Sequence, residues 1–314
     1  MTVAWLFPGQ GAQSVGMGRD LMRSSAAAAE IFASVDAALG EPLSRVLFEG
    51  PAEELTLTAN AQPGILAVSC AVLAAIRERI AGLPPPRLVA GHSLGEYSAL
   101  VAAHALSLED AVRLVRARGI AMQSAVASGI GAMSAIMGID REGVEAICDE
   151  ARQGEVVAPA NFNAPGQIVI AGHAAAVARA GALAAARRGR AIPLKVSAPF
   201  HCALMAPAAT ALESKLAEVR VAPPRCPVVA NFDAQANSDA DRVKALLVKQ
   251  VDGAVRWEES VRLMHTMGIT HALEIGPGKV LAGLVRRITK EIKVLSVGDL
   301  ASLDSVPEFL AAAA

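Results

Sequence analysis

The chain alternates short apolar segments with longer stretches of helical periodicity. Apolar runs typical of buried strands lie at residues 3–7 and 86–90, and again at 227–231 and 272–275, the last of which is the predicted last core strand. Helical spacing fills most of the intervening sequence, and the segment 107–122 places its apolar residues on one face. Buried strands separated by helices predict an α/β fold built on a parallel central sheet.

A different order of elements, β-α-β-β-α-β, is predicted between residues 129 and 196. The predicted strands and helices fall at 131–138, 140–152, 155–160, 167–171, 174–188 and 191–196. This order is that of a ferredoxin-like unit. We therefore predict a hydrolase-like main domain of residues 1–128 and 197–314, interrupted by an inserted ferredoxin-like small domain of residues 129–196.

The pentapeptide at 91–95 has the pattern G-x-S-x-G, with Ser93 at its centre. It follows the predicted strand at 86–90 and precedes an Ala- and Leu-rich helix at 94–106, which is the strand, turn and helix that a nucleophile elbow requires. Such a turn lifts the serine hydroxyl above the sheet at a helix N-terminus, where an anionic intermediate is favoured. Ser93 is the predicted nucleophile.

His201 lies in a non-periodic segment, 197–201, that contains a proline. Polar side chains in such segments are commonly functional, and a serine nucleophile needs a base. Of the six histidines, His92 is next to the nucleophile and points elsewhere, and the other four lie in regular patterns. The adjacent Cys202 is not the expected nucleophile, because neighbouring side chains diverge. His201 is therefore the predicted base.

Arg118 falls on the apolar face of the helix predicted at 107–122, whereas Arg113 and Arg116 fall on the opposite face and are expected to be solvated. A guanidinium on a buried face needs an anionic partner or a polar cavity. No carboxylate lies three or four residues away. We interpret Arg118 as the binding group for a ligand's carboxylate.

Composition excludes several functional classes. The net charge of −1 and the 3% aromatic content argue against nucleic-acid binding. Four cysteines without a C-x-x-C motif indicate neither a zinc site nor a disulfide framework, and favour a reduced, cytoplasmic setting. The apolar run 66–76 is expected to be too short to cross a membrane, and residues 1–9 do not resemble a signal peptide. No metal or redox cofactor is implied.

Two glycine-containing loops allow more than one interpretation. The loop at 9–14 lacks the third glycine of a dinucleotide fingerprint, but its backbone N–H groups, with Gln10 well placed, suit an oxyanion. The Gly-Pro-Gly-Lys loop at 276–279 fits either a phosphate cradle or a plain helix entry. The basic cluster that follows is interpreted as a solvated face or, secondarily, as a docking patch for an acidic partner; it comprises Arg286, Arg287, Lys290 and Lys293.

As an ordered set, five features resemble the malonyl-CoA:acyl carrier protein transacylases of fatty acid and polyketide synthesis. They are Phe-Pro-Gly-Gln-Gly-Ala-Gln at 7–13, Gly-His-Ser-Leu-Gly-Glu at 91–96, Arg118, Ser-Ala-Pro-Phe-His at 197–201 and Gly-Pro-Gly-Lys at 276–279. The resemblance implies that a malonyl group moves from a CoA thioester, malonyl-CoA, to the phosphopantetheine thiol of an acyl carrier protein. A freestanding, monomeric enzyme without cofactor is expected.

The resemblance also implies roles for individual residues. Ser93 carries the malonyl ester, His201 acts as base and then as acid, and the backbone carbonyl of Gln250 orients His201 in place of a triad aspartate. The oxyanion hole is formed by the backbone N–H groups of Gln10 and Leu94.

By the same resemblance, two side chains select the acyl group. Arg118 binds the malonyl carboxylate. Phe200 resembles the bulky residue that leaves no room for an α-methyl group, which favours malonyl over methylmalonyl; packing of Phe200 against the small domain is the alternative interpretation.

Two other functions remain open from the sequence. A serine hydrolase shares the elbow and places an acidic residue between serine and histidine, and Asp110, Asp140 and Asp149 are available there. A non-enzymatic scaffold would keep the fold but lose the site, yet Ser93 and His201 are intact.

Overall fold

The computed structural model describes residues 2–196 and 198–313. Met1, Ser197 and Ala314 lie outside the described residues. The first residue of the segment 197–201 and the predicted domain boundary at 197 are therefore not described.

The strands form two separate sheets. In chain order they are β1 Val3–Phe7, β2 Leu88–Gly91, β3 Gly131–Met137, β4 Val157–Ala164, β5 Gln167–His173, β6 Arg190–Pro193, β7 Val228–Val229, β8 Ala236–Asn237, β9 His271–Ile275 and β10 Lys293–Val297. The larger sheet has the order β10-β9-β1-β2-β7-β8, and the smaller has the order β4-β5-β3-β6.

The helices pack on the two sheets, most of them on the faces of the larger one. They are α1 Arg19–Ser24, α2 Ala26–Leu39, α3 Leu43–Glu49, α4 Ala52–Thr56, α5 Thr58–Arg79, α6 Gly95–Ala102, α7 Leu108–Ser124, α8 Arg141–Ala151, α9 Ala174–Ala186, α10 Ala206–Ala217, α11 Ala240–Asp252, α12 Trp257–Thr266, α13 Val280–Ile288, α14 Leu300–Leu303 and α15 Val306–Ala311, with a 3₁₀ turn at Ala203–Met205.

The larger sheet is buried on both faces, which explains the continuous apolar runs in its strands. Successive side chains of a strand point to opposite faces. Trp5 and Phe7 of β1 thus join the core formed with α5 and α7, while Ala4 and Leu6 join a second core with α12 and α13. The predicted α/β class is confirmed. The sheet is mixed rather than wholly parallel, because β8 pairs antiparallel with β7.

The smaller sheet is antiparallel throughout and is built from consecutive elements of the segment β3-α8-β4-β5-α9-β6. It has its own core, in which α8 and α9 pack on one face of the sheet. Strand β4 is also tied to the segment before α12, because Phe162 N–H donates to the Val255 carbonyl and Val255 N–H to the Ala160 carbonyl. Backbone hydrogen bonds therefore join the smaller sheet to the segment before α12, a helix that packs on the larger sheet.

Two expectations about the last third of the chain and the long apolar helix are wrong. The strand at 272–275 is not the last, because β10 follows it and extends the sheet. β10 is half-exposed at the edge of the sheet, and Lys293 and Ser296 interrupt its apolar pattern.

Helix α5 begins at Thr58, well before the apolar run at 66–76, and is therefore longer than that run. Among residues 2–196 and 198–313, α5 is the one helix that is long and apolar enough to cross a membrane, by length and composition alone. Within its most apolar window, 83% is buried inside the protein, as in a core helix.

Candidate active site

Ser93 lies in a tight turn between β2 and α6, with a φ of 51° that a residue with a side chain rarely adopts. The flanking glycines allow this turn. A Cβ on Gly91 would lie 2.0 Å from the carbonyl carbon of Gly95, and a Cβ on Gly95 would lie 2.1 Å from the carbonyl oxygen of Phe7. The turn therefore packs directly on the end of β1, and it presents Ser93 at the carboxyl edge of the sheet.

His201 contacts the nucleophile. Its Nε2 lies 2.7 Å from Ser93 Oγ, and its Nδ1 lies 2.8 Å from the backbone carbonyl of Gln250. Because a carbonyl only accepts, Nδ1 carries the proton and Nε2 accepts from the serine hydroxyl. Burial, with the positive charge of Arg118, lowers the pKa of His201 to about 3. The imidazole is thus neutral and able to act as a base.

The three aspartates available to a hydrolase triad lie away from His201. Asp110 and Asp149 pair with the arginines three residues later in the chain, and the side chain of Asp140 caps the N-terminus of α8. The acceptor at Nδ1 is the neutral carbonyl of Gln250. The arrangement therefore lacks the acidic member that the hydrolase interpretation requires, within the residues that the structure describes.

Arg118 is buried, as its place on the apolar face of α7 predicts, with 1% of its surface exposed. Its Nη1 donates to Gln62 Oε1 at 2.7 Å, and its Nη2 donates to Ser93 Oγ at 3.0 Å and Gln250 Oε1 at 2.9 Å. Burial lowers the pKa of the guanidinium. All three hydrogen-bond partners are neutral, so the positive charge next to Ser93 is available to an anion.

The two arginines predicted to be solvated behave differently. Arg113 is exposed, as predicted. For Arg116 the prediction is wrong, because its guanidinium is mostly buried and bonds to Asn60 and Glu41. Both partners come from other segments, so the helical periodicity of α7 alone did not reveal them.

The loop after β1 brings Gln10 beside the elbow. A Cβ on Gly9 would lie 2.3 Å from the backbone oxygen of His92, so only a glycine lets the loop approach this closely. Within residues 2–196 and 198–313, the backbone N–H groups of Gln10 and Leu94 donate to no protein acceptor. Both N–H groups are therefore free for a ligand oxygen, and the oxyanion hole at Gln10 and Leu94 stays a prediction; the Gln10 side chain donates to Thr58 Oγ1.

Asn231 and Glu96 support the elbow, and the sequence analysis assigned a role to neither. Asn231 Oδ1 accepts from the Ser93 N–H at 2.5 Å, and Nδ2 donates to the Gly91 carbonyl at 2.7 Å. Glu96 Oε2 accepts from Asn231 N–H at 2.9 Å and from Gln250 Nε2 at 2.7 Å. The one available signal was the carboxylate of Glu96, the only charged side chain of α6, in the first turn of that helix. Burial raises the pKa of Glu96 to about 7.

The reactive groups open into a cavity of about 870 Å³. Ser93, Arg118 and His201 line it from the larger sheet and its helices, and Met133 of β3 lines it from the smaller sheet. Phe200 lies in the wall and is 8% exposed. The cavity is therefore lined from both sheets.

His92, the neighbour of the nucleophile, turns towards the smaller sheet. Its Nε2 lies 2.8 Å from Asn163 Oδ1 in β4, and its ring packs against Trp257. The expectation that His92 points away from Ser93 is confirmed.

The Gly-Pro-Gly-Lys loop is a helix entry. The carboxylate of Glu274, at 0% exposure, accepts the backbone N–H groups of Leu281 at 2.8 Å and Ala282 at 3.0 Å. These are the first-turn donors of α13 that a phosphate would need. An internal carboxylate therefore already occupies this position.

Groups of three or more potential metal ligands are absent from the described part of the chain. The four cysteines are free thiols.

Comparison with known proteins places this geometry in a family. Residues 4–309 match the acyl transferase domain family. The malonyl CoA-acyl carrier protein transacylase of Escherichia coli K12 is 46% identical over 306 residues, which cover 97% of this chain and 98% of that protein. The Bacillus subtilis protein of the same name is 47% identical over 299 residues, covering 95% of this chain and 93% of its own length.

Solved structures agree with the sequence relatives. An acyl carrier protein S-malonyltransferase from Vibrio cholerae superposes with a TM-score of 0.95 at 46% identity, covering 98% of this chain and all of that one. A malonyl-transacylase in complex with a type II polyketide synthase acyl carrier protein has a TM-score of 0.94 at 44% identity, covering 98% and 99%. The chain therefore belongs to the acyltransferase family, as one of its malonyl CoA-acyl carrier protein transacylases.

Proposed function

We propose that this protein transfers a malonyl group from malonyl-CoA to the phosphopantetheine thiol of an acyl carrier protein, through an ester on Ser93. One observation carries the proposal: the Ser93 hydroxyl lies within hydrogen-bonding distance of both a neutral imidazole and a buried guanidinium. The first can activate the hydroxyl. The second can hold an acyl group that ends in a carboxylate. The names of the relatives support the same substrates.

In the first half-reaction, His201 Nε2 takes the proton of Ser93 as Oγ attacks the thioester carbonyl and forms a C–O bond. The resulting oxyanion is stabilised by the N–H groups of Gln10 and Leu94, a contribution of about 3–4 kcal/mol per donor in comparable sites. The C–S bond then breaks, and the CoA sulfur leaves with the proton of the imidazolium.

The second half-reaction reverses these steps. The carrier thiol gives its proton to His201 and attacks the ester carbonyl, and Ser93 Oγ recovers the proton when its bond to the acyl group breaks. Gln250 holds the imidazole by its carbonyl in both halves. Because this partner is neutral, it stabilises the imidazolium less than a carboxylate would, and it does not repel the malonyl anion.

Phe200 supports a preference for malonyl over methylmalonyl. Its ring forms part of the cavity wall one residue before His201, so a branched α-carbon bound to Ser93 would approach it. Equal rates of transfer for the two thioesters would contradict this assignment.

We further propose that residues 129–196 form an inserted small domain of ferredoxin-like topology in a hydrolase-like main domain of residues 1–128 and 197–314. The strand order β4-β5-β3-β6 with α8 and α9 on one face supports this division. A monomeric enzyme in the cytoplasm is also proposed, and the free thiols of all four cysteines agree with a reducing compartment.

Mass spectrometry of the intact protein tests the function. After mixing with malonyl-CoA, we expect a malonyl adduct on Ser93 that disappears when a carrier protein bearing phosphopantetheine is added, with a malonyl thioester appearing on the carrier. Ser93→Ala should form no adduct. Release of malonate to water at a rate exceeding transfer to the carrier would instead identify a hydrolase.

A further inference from the structure

Glu96 is a buried carboxylate close to the reacting groups. It lies three residues after Ser93 in the first turn of α6, and 3% of its surface is exposed. Its Oε2 accepts two hydrogen bonds, from the backbone N–H of Asn231 and from the side-chain amide of Gln250. Burying a carboxylate is costly unless it is paired, so its presence here calls for a specific function.

The bond from Gln250 to Glu96 decides how the Gln250 amide is oriented. The amide NH₂ donates to Glu96 Oε2 at 2.7 Å and to the Ser93 carbonyl at 3.0 Å. Both partners are acceptors, so the amide oxygen must face the other way, where it accepts from Arg118 Nη2 at 2.9 Å. Were the amide reversed, its NH₂ would oppose the guanidinium, which only donates.

The indirect connection leaves Arg118 free for a ligand. No carboxylate pairs with Arg118 anywhere in residues 2–196 and 198–313. A direct ion pair with Glu96 would occupy the guanidinium that must receive the substrate's carboxylate. With the neutral amide of Gln250 between them, Glu96 orients that amide without itself occupying the N–H groups of Arg118.

We propose that Glu96 is a positioning residue that locks the side-chain amide of Gln250, so that Gln250 in turn holds Arg118 towards Ser93 for the malonyl carboxylate. Glu96 touches neither the substrate nor the reacting atoms. The role rests on the proposed function, because it assumes that Arg118 binds the malonyl carboxylate.

The test compares the acylation of Ser93 by malonyl-CoA and by acetyl-CoA, which lacks the carboxylate. In Glu96→Ala, kcat/KM for malonyl-CoA should fall about 10- to 100-fold, the factor for losing a hydrogen bond to a charged group, while that for acetyl-CoA changes less than about threefold. Glu96→Gln keeps an oxygen that can accept both bonds, so its malonyl preference should stay within about threefold of wild type.

Two further variants separate this role from a structural one. Glu274→Ala removes another buried carboxylate, from β9, which accepts hydrogen bonds from the first turn of α13. This variant should lower stability without changing the ratio of malonyl to acetyl rates. Gln250→Ala keeps the backbone carbonyl that holds His201 but removes the amide, so it should show the same selective loss as Glu96→Ala. If Glu96→Ala does not fold, the malonyl to acetyl ratios of Gln250→Ala and Glu96→Gln test the proposal without it.

Each remaining outcome overturns the proposal. An unchanged malonyl to acetyl ratio in folded Glu96→Ala or in Gln250→Ala would show that the amide does not set the position of Arg118. A loss in Glu96→Gln as large as in Glu96→Ala would show that the charge matters rather than the orientation of Gln250. A wild-type protein that takes up no malonyl group would refute the proposed function itself, whatever the variants show.

Discussion

Nη2 of Arg118 donates a hydrogen bond to Oγ of Ser93 at 3.0 Å, so a buried positive charge sits directly on the nucleophile. This contact places the charge where it can stabilise a developing alkoxide and, once Ser93 is acylated, hold the far end of a short dicarboxylic acyl group. In the proposed function, one guanidinium therefore serves both the activation of the serine and the selection of the acyl group.

Replacing Arg118 with alanine should reverse the acyl preference. We expect malonyl loading of Ser93 to fall about 100-fold, corresponding to about 3 kcal/mol of lost charge-assisted bonding, while acetyl-CoA becomes an accepted donor. Acylation rates with both thioesters, read by mass spectrometry, provide the measurement. Arg116→Ala, on the same helix but bonded to Asn60 and Glu41, is the matched control. Unchanged selectivity in Arg118→Ala would remove Arg118 from its proposed role.

The rate of Ser93 acylation should not fall at acid pH with the apparent pKa of an ordinary histidine. Because burial and Arg118 lower the pKa of His201 to about 3, the imidazole stays neutral and the acylation rate should not fall with an apparent pKa near 6.5. Measurement on Glu96→Gln as well removes any contribution from Glu96, whose pKa is raised to about 7. An acid limb near 6.5 that persists in this variant would contradict the expectation.

The same shift predicts a pH dependence of stability. The unfolded chain binds a proton at His201 near pH 6.5, and the native protein does so only near pH 3, so protons favour unfolding between these values. The contribution of His201 to the free energy of unfolding should therefore fall as the pH is lowered through this window. Denaturant titrations of wild type and His201→Ala at several pH values in this window would measure the contribution. If the free energies of unfolding of the two proteins change in parallel with pH, the prediction is wrong.

Asn231 should contribute both to stability and to rate. Asn231→Ala leaves the Gly91 carbonyl and the Ser93 N–H without partners, which should lower the free energy of unfolding by about 1–3 kcal/mol and slow acylation of Ser93. Asn237→Ala removes another buried asparagine, whose side chain bonds to the backbone of Asp239, and should lower stability alone. Acylation as fast in Asn231→Ala as in Asn237→Ala would show that the elbow needs no such support.

Phe200 should control access for branched acyl groups. Phe200→Ala opens the cavity wall, and we expect the rate of loading from methylmalonyl-CoA to rise by about tenfold relative to malonyl-CoA, the factor typical of one methyl group in a hydrophobic pocket. Competition between the two thioesters for Ser93 would measure this ratio. A ratio equal to that of wild type would favour the alternative that Phe200 only packs against the small domain.

The sequence by itself determined the α/β class, the elbow around Ser93 and the burial of Arg118, since each follows from local order: strand, turn and helix for the first two, and helical periodicity for the third. It also singled out His201, although only as a residue that a serine would need.

Tertiary structure decided which distant groups meet. Three sets of contacts join segments that are far apart in the chain, and no periodicity encodes them. They are the Gln250 carbonyl with His201, the Asn231 side chain with Ser93, and Glu96 with both Asn231 and Gln250. The same is true of Arg116, whose partners come from other segments, and of Glu274, which fills the helix entry that the sequence left open to a phosphate. Local sequence order determines the face of a helix or strand on which a residue lies, but only the folded structure determines which residues that face contacts.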